Sequence, residues 1–447
     1  MDCKKVCGYV TAGMFTAVIA GFLILILSQF VIKNVFIEVF HMDNAITDLS
    51  VTGGSDGMVE VDWEALYPFE VLEERQETQS SKKTNFLTDK VRKIVNIIDM
   101  YSNEYLPFKE EVKLPSGLFD RLLDNRMVDT DNMYMTVGAG GLIVRSPFYQ
   151  QFTSEELDTS ALAENVESLR DFLAGQGIDF LYVQAPIKED KYDVNYVERY
   201  GLSYESQLAD SLLEQLIKRD IDILDLREVL HNEEKECYNA FFNTDNHWKI
   251  ETAFWAANKI AGKLNQDYGF RFDMKYFDEE NYVKDIYEDW VFGTIGRGVT
   301  LANAGYDDIT VLVPKFETLL TMKIPNLNMN HTGTFLETMI NPVPFKRRSV
   351  VYHNAYDAFA YSKPPVTEVT NHTDTGNSGK SVLLIRESFA GPVITYLSLG
   401  IGNLYAITPE GFTGSIESYI NQVKPDMVVV LYTAPATNEV TSKYDFR

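Results

Sequence analysis

Residues 381–399 read SVLLIRESFAGPVITYLSL, and the fold turns on how this stretch is read. The run SVLLI (381–385) is apolar without polar alternation, which suits a parallel strand covered on both faces. A helix follows from about Pro392 to Leu399, so Arg386, Glu387 and Ser388 fall at a strand-to-helix junction. Toward the C-terminus the alternation continues with the strand LYAI (404–407), a helix over 415–423 and the strand MVVVLY (427–432). Toward the N-terminus it reappears as a helix over 160–176 that ends at Gly177, then the strand IDFLYVQAP (178–186). A helix over 204–218 and the strand IDILDL (221–226) come next. Another helix starts near Lys249, with Phe254, Ala257, Ala261 and Leu264 on one side. Strand–helix–strand order implies right-handed crossovers and a three-layer α/β fold around a mainly parallel sheet. Residues 270–380 break this rhythm. DITVLVP, TLLTMKIP and SVVYHNAYDAFAYS read as strands with partial alternation, a β-rich insertion or subdomain beside the active face.

Bulk properties narrow the function. The 447 residues carry 40 Lys+Arg against 65 Asp+Glu, a net charge of −25, which argues against nucleic acid as a partner. Three cysteines, two of them at Cys3 and Cys7, leave Cys237 alone in the remainder. They allow no intradomain disulfide there and no CxxC zinc pair. The run 9–32, YVTAGMFTAVIAGFLILILSQFVI, has no charge and is long enough to span a bilayer. Lys4 and Lys5 precede it, and Glu38 and Asp43 follow soon after Lys33. The expectation is a single-pass signal anchor with a cytoplasmic N-terminus and the large domain outside. Residues 42–62 read as a flexible stalk, and 84–106 as an amphipathic helix.

The candidate chemistry lies in two places. In FFNTDNHWKIETAFWAA (241–257), Asp245 and His247 stand two apart, an extended spacing that points both side chains to one side. The carboxylate can then hold Nδ1–H and leave Nε2 as a base. The competing structural reading is that Thr244 or Asp245 caps the following helix while His247 packs. Ser388 follows a buried strand and precedes a helix, at the carboxyl edge where α/β sheets place their sites. Backbone N–H groups there would stabilise an oxyanion, although a serine in that position also serves as a cap. No G-x-S-x-G elbow is present. VGAGGL (137–142) reads as a turn, and no second histidine stands at ligand spacing from His247, so neither a metal nor a cofactor is expected. Asn330-His331-Thr332 and Asn371-His372-Thr373 fit the glycosylation pattern.

TDNHW (244–248) resembles the D-x-H-W signature of the DHHW family and of the alginate O-acetyltransferases AlgX and AlgJ. RESFAGPVITYLSL (386–399) is similar to that group's D-S-F segment, and GTIGRGVTLANAGYDDITVLVPKFET (293–318) to its G-Y-D-D…P-K-F-E-T stretch. VKPDMVVVLY (423–432) matches its terminal strand. The resemblance covers about residues 90–435. It implies an SGNH-like fold with Ser388, His247 and Asp245 as triad, the serine following the Asp/His pair in chain order. Glu387 replaces an Asp of the pattern, Asn246 replaces the second letter of the family name, and Thr433 stands where Asn is usual. Phe389, Arg297 and Tyr432 are the oxyanion or substrate candidates.

Under that resemblance, 84–269 and 381–447 form two parts of an SGNH-like domain around the insertion 270–380, with 1–33 as anchor and 34–83 as stalk. The function it implies is O-acetylation of a cell-surface or secreted polysaccharide, with a membrane-bound O-acyltransferase (MBOAT) relaying acyl groups from the cytoplasmic side. A carbohydrate esterase or deacetylase with the same triad is an alternative. So is a non-catalytic cell-surface carbohydrate-binding or scaffold protein.

Overall fold

Val382 and Leu384 pack into one buried cluster and Leu383 and Ile385 into another, so successive residues of one strand serve opposite faces of a sheet. Met427, Val429 and Leu431 against Val428, Val430 and Tyr432 divide in the same way, as do Leu181 and Val183 against Phe180 and Tyr182. These runs lack polar alternation because neither face meets water. Each fully buried aliphatic side chain contributes about 2 kcal/mol.

The computed structural model describes residues 127–130, 133–137, 142–146, 152–233, 237–346 and 354–447. All lie in the unit Glu110–Arg447. The expected anchor (9–32), stalk and helix at 84–106 lie outside the described residues. Among the described residues, no helix is long and apolar enough to cross a membrane.

Three strands, β1 (Met127–Thr130), β2 (Met133–Val137) and β3 (Ile143–Ser146), form an antiparallel meander. Then come β4 (Asp179–Gln184), β5 (Ile223–Asp225) and an antiparallel pair, β6 (Tyr282–Val291) with β7 (Asp307–Pro314). The rest are β8 (Leu320–Ile324), β9 (Met329–Gly333), β10 (Val366–Asn371), β11 (Ser381–Arg386), β12 (Asn403–Ile407) and β13 (Met427–Tyr432). The main sheet has eight strands in the order β5-β4-β13-β11-β12-β10-β8-β9. Pairing is parallel from β5 to β12 and antiparallel from β12 to β9. The sheet is therefore mixed, and the expectation of a mainly parallel one holds for its five-strand half alone. From region 270–380, β8, β9 and β10 extend the main sheet. Ile309, Val311, Leu320, Met322 and Val369 share one buried cluster with Val382 and Val429.

Helices Ile250–Asp267 and Ala390–Leu397 pack together on one face. Helices Ser160–Ala174, Tyr204–Lys218 and Ile416–Val423 cover the other. Ser203 and Ser415 cap the latter two by accepting the N–H groups of Ser206 and Ser418. The outcome is an α/β/α sandwich with the carboxyl ends of β4, β13 and β11 side by side. Asn371, in one of the two glycosylation patterns, is buried and donates to the Ser398 and Leu399 carbonyls, so that pattern is structural.

Candidate active site

The loop holding Asp245 and His247 is pinned at its base. Phe241 bridges Trp248, Phe242 N–H donates to the His247 carbonyl at 3.2 Å, and Lys249 N–H to that of Ala240 at 2.8 Å. The following helix is capped at Lys249, so neither Thr244 nor Asp245 serves as its cap. Trp248, fully buried, drives the loop into the core, and its indole N–H donates to the Phe389 carbonyl at 3.0 Å. The phenol of Tyr356 donates to the same carbonyl at 3.0 Å. One carbonyl thus ties the histidine loop to the residue after Ser388.

At the tip, Asp245 Oδ1 meets His247 Nδ1 at 2.5 Å and His247 Nε2 meets Ser388 Oγ at 2.9 Å. Asp245 is 0% exposed and the His247 side chain 12%. The second carboxylate oxygen accepts from Thr294 N–H at 3.1 Å and from Asn354 Nδ2 at 3.0 Å. Burial alone pushes the Asp245 carboxyl up, but the hydrogen bond from His247, its charge and the N–H groups of His247 and Thr294 outweigh burial. The carboxyl is held well below the usual carboxylate range. An ionised carboxylate only accepts, so Nδ1 is the protonated ring nitrogen and Nε2 is free to take the Ser388 proton. Tyr356 stacks on the imidazole with centroids 4.1 Å apart, and Phe389 lies against it at 4.9 Å, which fixes the ring plane. Burial keeps the Tyr356 phenol protonated, so it stays a donor.

Gly293 and Gly296 explain how residues 49 positions away reach the aspartate. A Cβ on Gly293 would lie 2.3 Å from that of Asp245, and one on Gly296 would lie 2.8 Å from that of Thr244. Bare backbone is needed for both approaches. Gly293 N–H donates to Thr244 Oγ1 at 2.9 Å and Gly296 N–H to the Thr244 carbonyl at 2.7 Å. Asp307 completes the brace, accepting from the N–H groups of Asn243 at 2.8 Å and Thr244 at 2.7 Å.

Three expected residues thus come together: Ser388, His247 and Asp245. The N–H groups of Ser388 and Phe389 meet no acceptor among the described residues, which leaves both available to an oxyanion. Tyr432 needs correction as an oxyanion or substrate candidate. Its side chain packs on the sheet face opposite the one carrying Trp248 and Phe389, and its phenol donates to the Lys443 carbonyl at 2.6 Å. Arg297 Nε donates to the Phe292 carbonyl at 3.3 Å, and the member of its segment that reaches the triad is Thr294. Thr294, Asn354, Tyr356 and Asp307 went unnoticed in the sequence. The paired glycines of GTIG (293–296) are the signal that was open to use. Among the described residues, no group of three or more His, Cys, Asp or Glu could hold a metal ion.

Residues 144–284 match the family model for the SGNH hydrolase-like domain of the acetyltransferase AlgX. The similarity to that domain spans about a third of the chain. The match takes in Asp245 and His247, whereas Ser388, Thr294 and Asn354 lie beyond it. Among solved structures, Bacillus cereus PatB1 carrying a sulfonyl adduct is similar over 71% of this chain and 99% of its own. The identity is 16% and the TM-score 0.56. A DHHW family protein from Eubacterium siraeum is similar over 71% and 96%, with 12% identity and a TM-score of 0.54. At these identities the likeness is one of fold. No curated protein matches this sequence.

Proposed function

We propose that the chain is a serine-dependent O-acetyltransferase acting on a cell-surface or secreted polysaccharide. The observation carrying the reading is the continuous hydrogen-bonded path from Ser388 Oγ through both ring nitrogens of His247 to Asp245.

The reaction has two balanced halves. His247 Nε2 takes the Ser388 proton while Oγ attacks the acetyl carbonyl carbon of the donor. The carbonyl π pair moves onto oxygen, and the N–H groups of Ser388 and Phe389 face that charge. One such donor supplies about 3 kcal/mol in the transition state. When the tetrahedral intermediate collapses, the donor's leaving oxygen departs with the proton from His247, and acetyl-Ser388 remains. A sugar hydroxyl then gives its proton to His247 and attacks the ester. The second collapse releases the acetylated sugar and returns the proton to Oγ.

The uncharged run 9–32, preceded by Lys4 and Lys5, is proposed as a single-pass anchor that holds this domain outside the cell. Cytosolic acyl donors would then need a relay across the bilayer, the task proposed for a membrane-bound O-acyltransferase partner.

The test is to give the purified full chain p-nitrophenyl acetate with an oligosaccharide acceptor and, separately, an acetylated glycan. Transfer of acetyl to sugar, abolished in Ser388→Ala, is the expected result. Release from the glycan without transfer would replace the reading by an esterase. Neither reaction, with wild type and Ser388→Ala alike, would leave a non-catalytic carbohydrate-binding protein.

A further inference from the structure

Three consecutive charged residues, Lys188, Glu189 and Asp190, follow β4 and are only 2–3% exposed. Each is held differently. Glu189 accepts from Arg145 through the backbone N–H at 2.9 Å and the guanidinium at 3.4 Å. Asp190 faces Arg227. Lys188 reaches the candidate active site: Nζ donates to the Asn243 carbonyl at 3.1 Å and to the Ile143 carbonyl at 3.2 Å. The Asn243 carbonyl also accepts from Ile143 N–H at 3.1 Å, so β3, the segment after β4 and the histidine loop meet at one oxygen.

An ammonium buried against neutral carbonyls is costly unless opposite charge lies close by. The charged groups around it are Glu189 and Arg145, which pair with each other, and Asp245 and Asp307. Asp307 grips the N–H groups of Asn243 and Thr244 from the other side of the peptide whose oxygen Lys188 holds, and Asp245 is the next residue. Among the described residues, the Lys188 ammonium therefore stands near both of these buried carboxylates.

We propose that Lys188 is a positioning residue for the Asp245–His247 pair. Its ammonium fixes the Asn243 carbonyl and hence the loop, and its charge favours the ionised form of Asp245. The inference rests on the reading of Ser388, His247 and Asp245 as the reacting group. Its sign is fixed by electrostatics. Removing a nearby cation makes a carboxyl less acidic and an imidazole more basic, and both changes carry the inactive protonated form to higher pH. Burial pulls Lys188 itself down to about 8, so its charge is present at neutral pH and lost soon above it.

The experiment is the pH profile of kcat/KM for p-nitrophenyl acetate hydrolysis by the full chain, comparing wild type, Lys188→Met, Lys188→Arg and Ser388→Ala. Lys188→Met is expected to lose at least about tenfold in kcat with KM unchanged, and its acid limb to rise by about one pH unit. Lys188→Arg should keep the wild-type acid limb and lack the alkaline limb expected of wild type near about 8. A Lys188→Met enzyme that is slower and melts lower with its acid limb unmoved would reduce Lys188 to a strut and overturn the proposal. Should Lys188→Met not fold, the other pair decides: a shared alkaline limb overturns the proposal, and its loss in Lys188→Arg supports it. Undiminished turnover by Ser388→Ala would instead overturn the site reading, and the role of Lys188 with it.

Discussion

Asp245 shows how much a single carboxylate is asked to do. One oxygen orients the imidazole while the other receives Thr294 N–H and the Asn354 amide, so the group has no freedom to turn away. Asp245→Asn keeps the shape but puts an amide where an acceptor is needed, and the wrong tautomer should lower kcat by about 10⁴-fold. Its stability profile should change too. The folded carboxyl is held below its ordinary value, so its contribution is complete above that value and lost as pH falls toward the folded one. Acid titration of unfolding should therefore be flatter for Asp245→Asn than for wild type; identical curves would contradict the assignment. Asn354→Ala removes one of three partners, and a loss of about tenfold in kcat is expected, matching one hydrogen bond to a charged group. Gly293→Ala is the harsher change, since its methyl would occupy the Asp245 side chain. Thermal melts should show a loss of about 1–3 kcal/mol together with activity.

At the scale of elements, the strand-to-helix junction after β11 does most to create the site. Glu387 braces it, accepting Thr433 N–H with Oε1 and the Lys443 ammonium at 2.5 Å with Oε2. Thus the segment beyond β13 is fastened to the residue before the nucleophile. Burial pushes the Glu387 carboxyl up, but Lys443 and Thr433 N–H hold it below its usual range. Lys443→Met should destabilise by about 2 kcal/mol, less than a fully buried pair because 14% and 18% of the two side chains remain exposed. The loss should shrink as pH falls through the Glu387 titration, which a urea series at several pH values would measure. This junction was readable in advance because its signals are local: an apolar run, polar residues, then a helical pattern. The helix at 204–218 was legible for the same reason, with buried Leu208, Leu212, Leu213 and Leu216 on its inner stripe. Thr294 and Asn354 were not, since they reach Asp245 from 49 and 109 residues away and no local pattern announces such contacts. Lys188 stands in a run of four charged residues, 188–191, in which no local pattern marks a buried one; the tertiary fold buries it.

For the whole molecule, the parallel half of the sheet was evident because strands sealed on both faces have an unbroken apolar signature. The antiparallel half was not. In β10 burial alternates, and nothing local tells whether such a strand joins the main sheet or a separate one. The D-x-H-W and Ser segments pointed to the three site residues by resemblance, while the geometry between them is a product of the sandwich. The net charge of −25 belongs to this scale as well. A repelling field should slow encounter with polyanionic acceptors, so transfer to an anionic polysaccharide should rise with added salt while transfer to a neutral one stays flat. Initial rates across an ionic-strength series would check this, and equal salt response for both would contradict it.

The claim on which the rest depends is that Ser388 is a nucleophile activated by His247. The direct measurement is the intact and peptide mass of the full chain after brief exposure to a sulfonyl fluoride or an activated acetyl ester. A single adduct on Ser388, lost in Ser388→Ala and strongly slowed in His247→Ala, is the predicted result. An unmodified Ser388, or labelling that proceeds at the same rate without His247, would contradict the account.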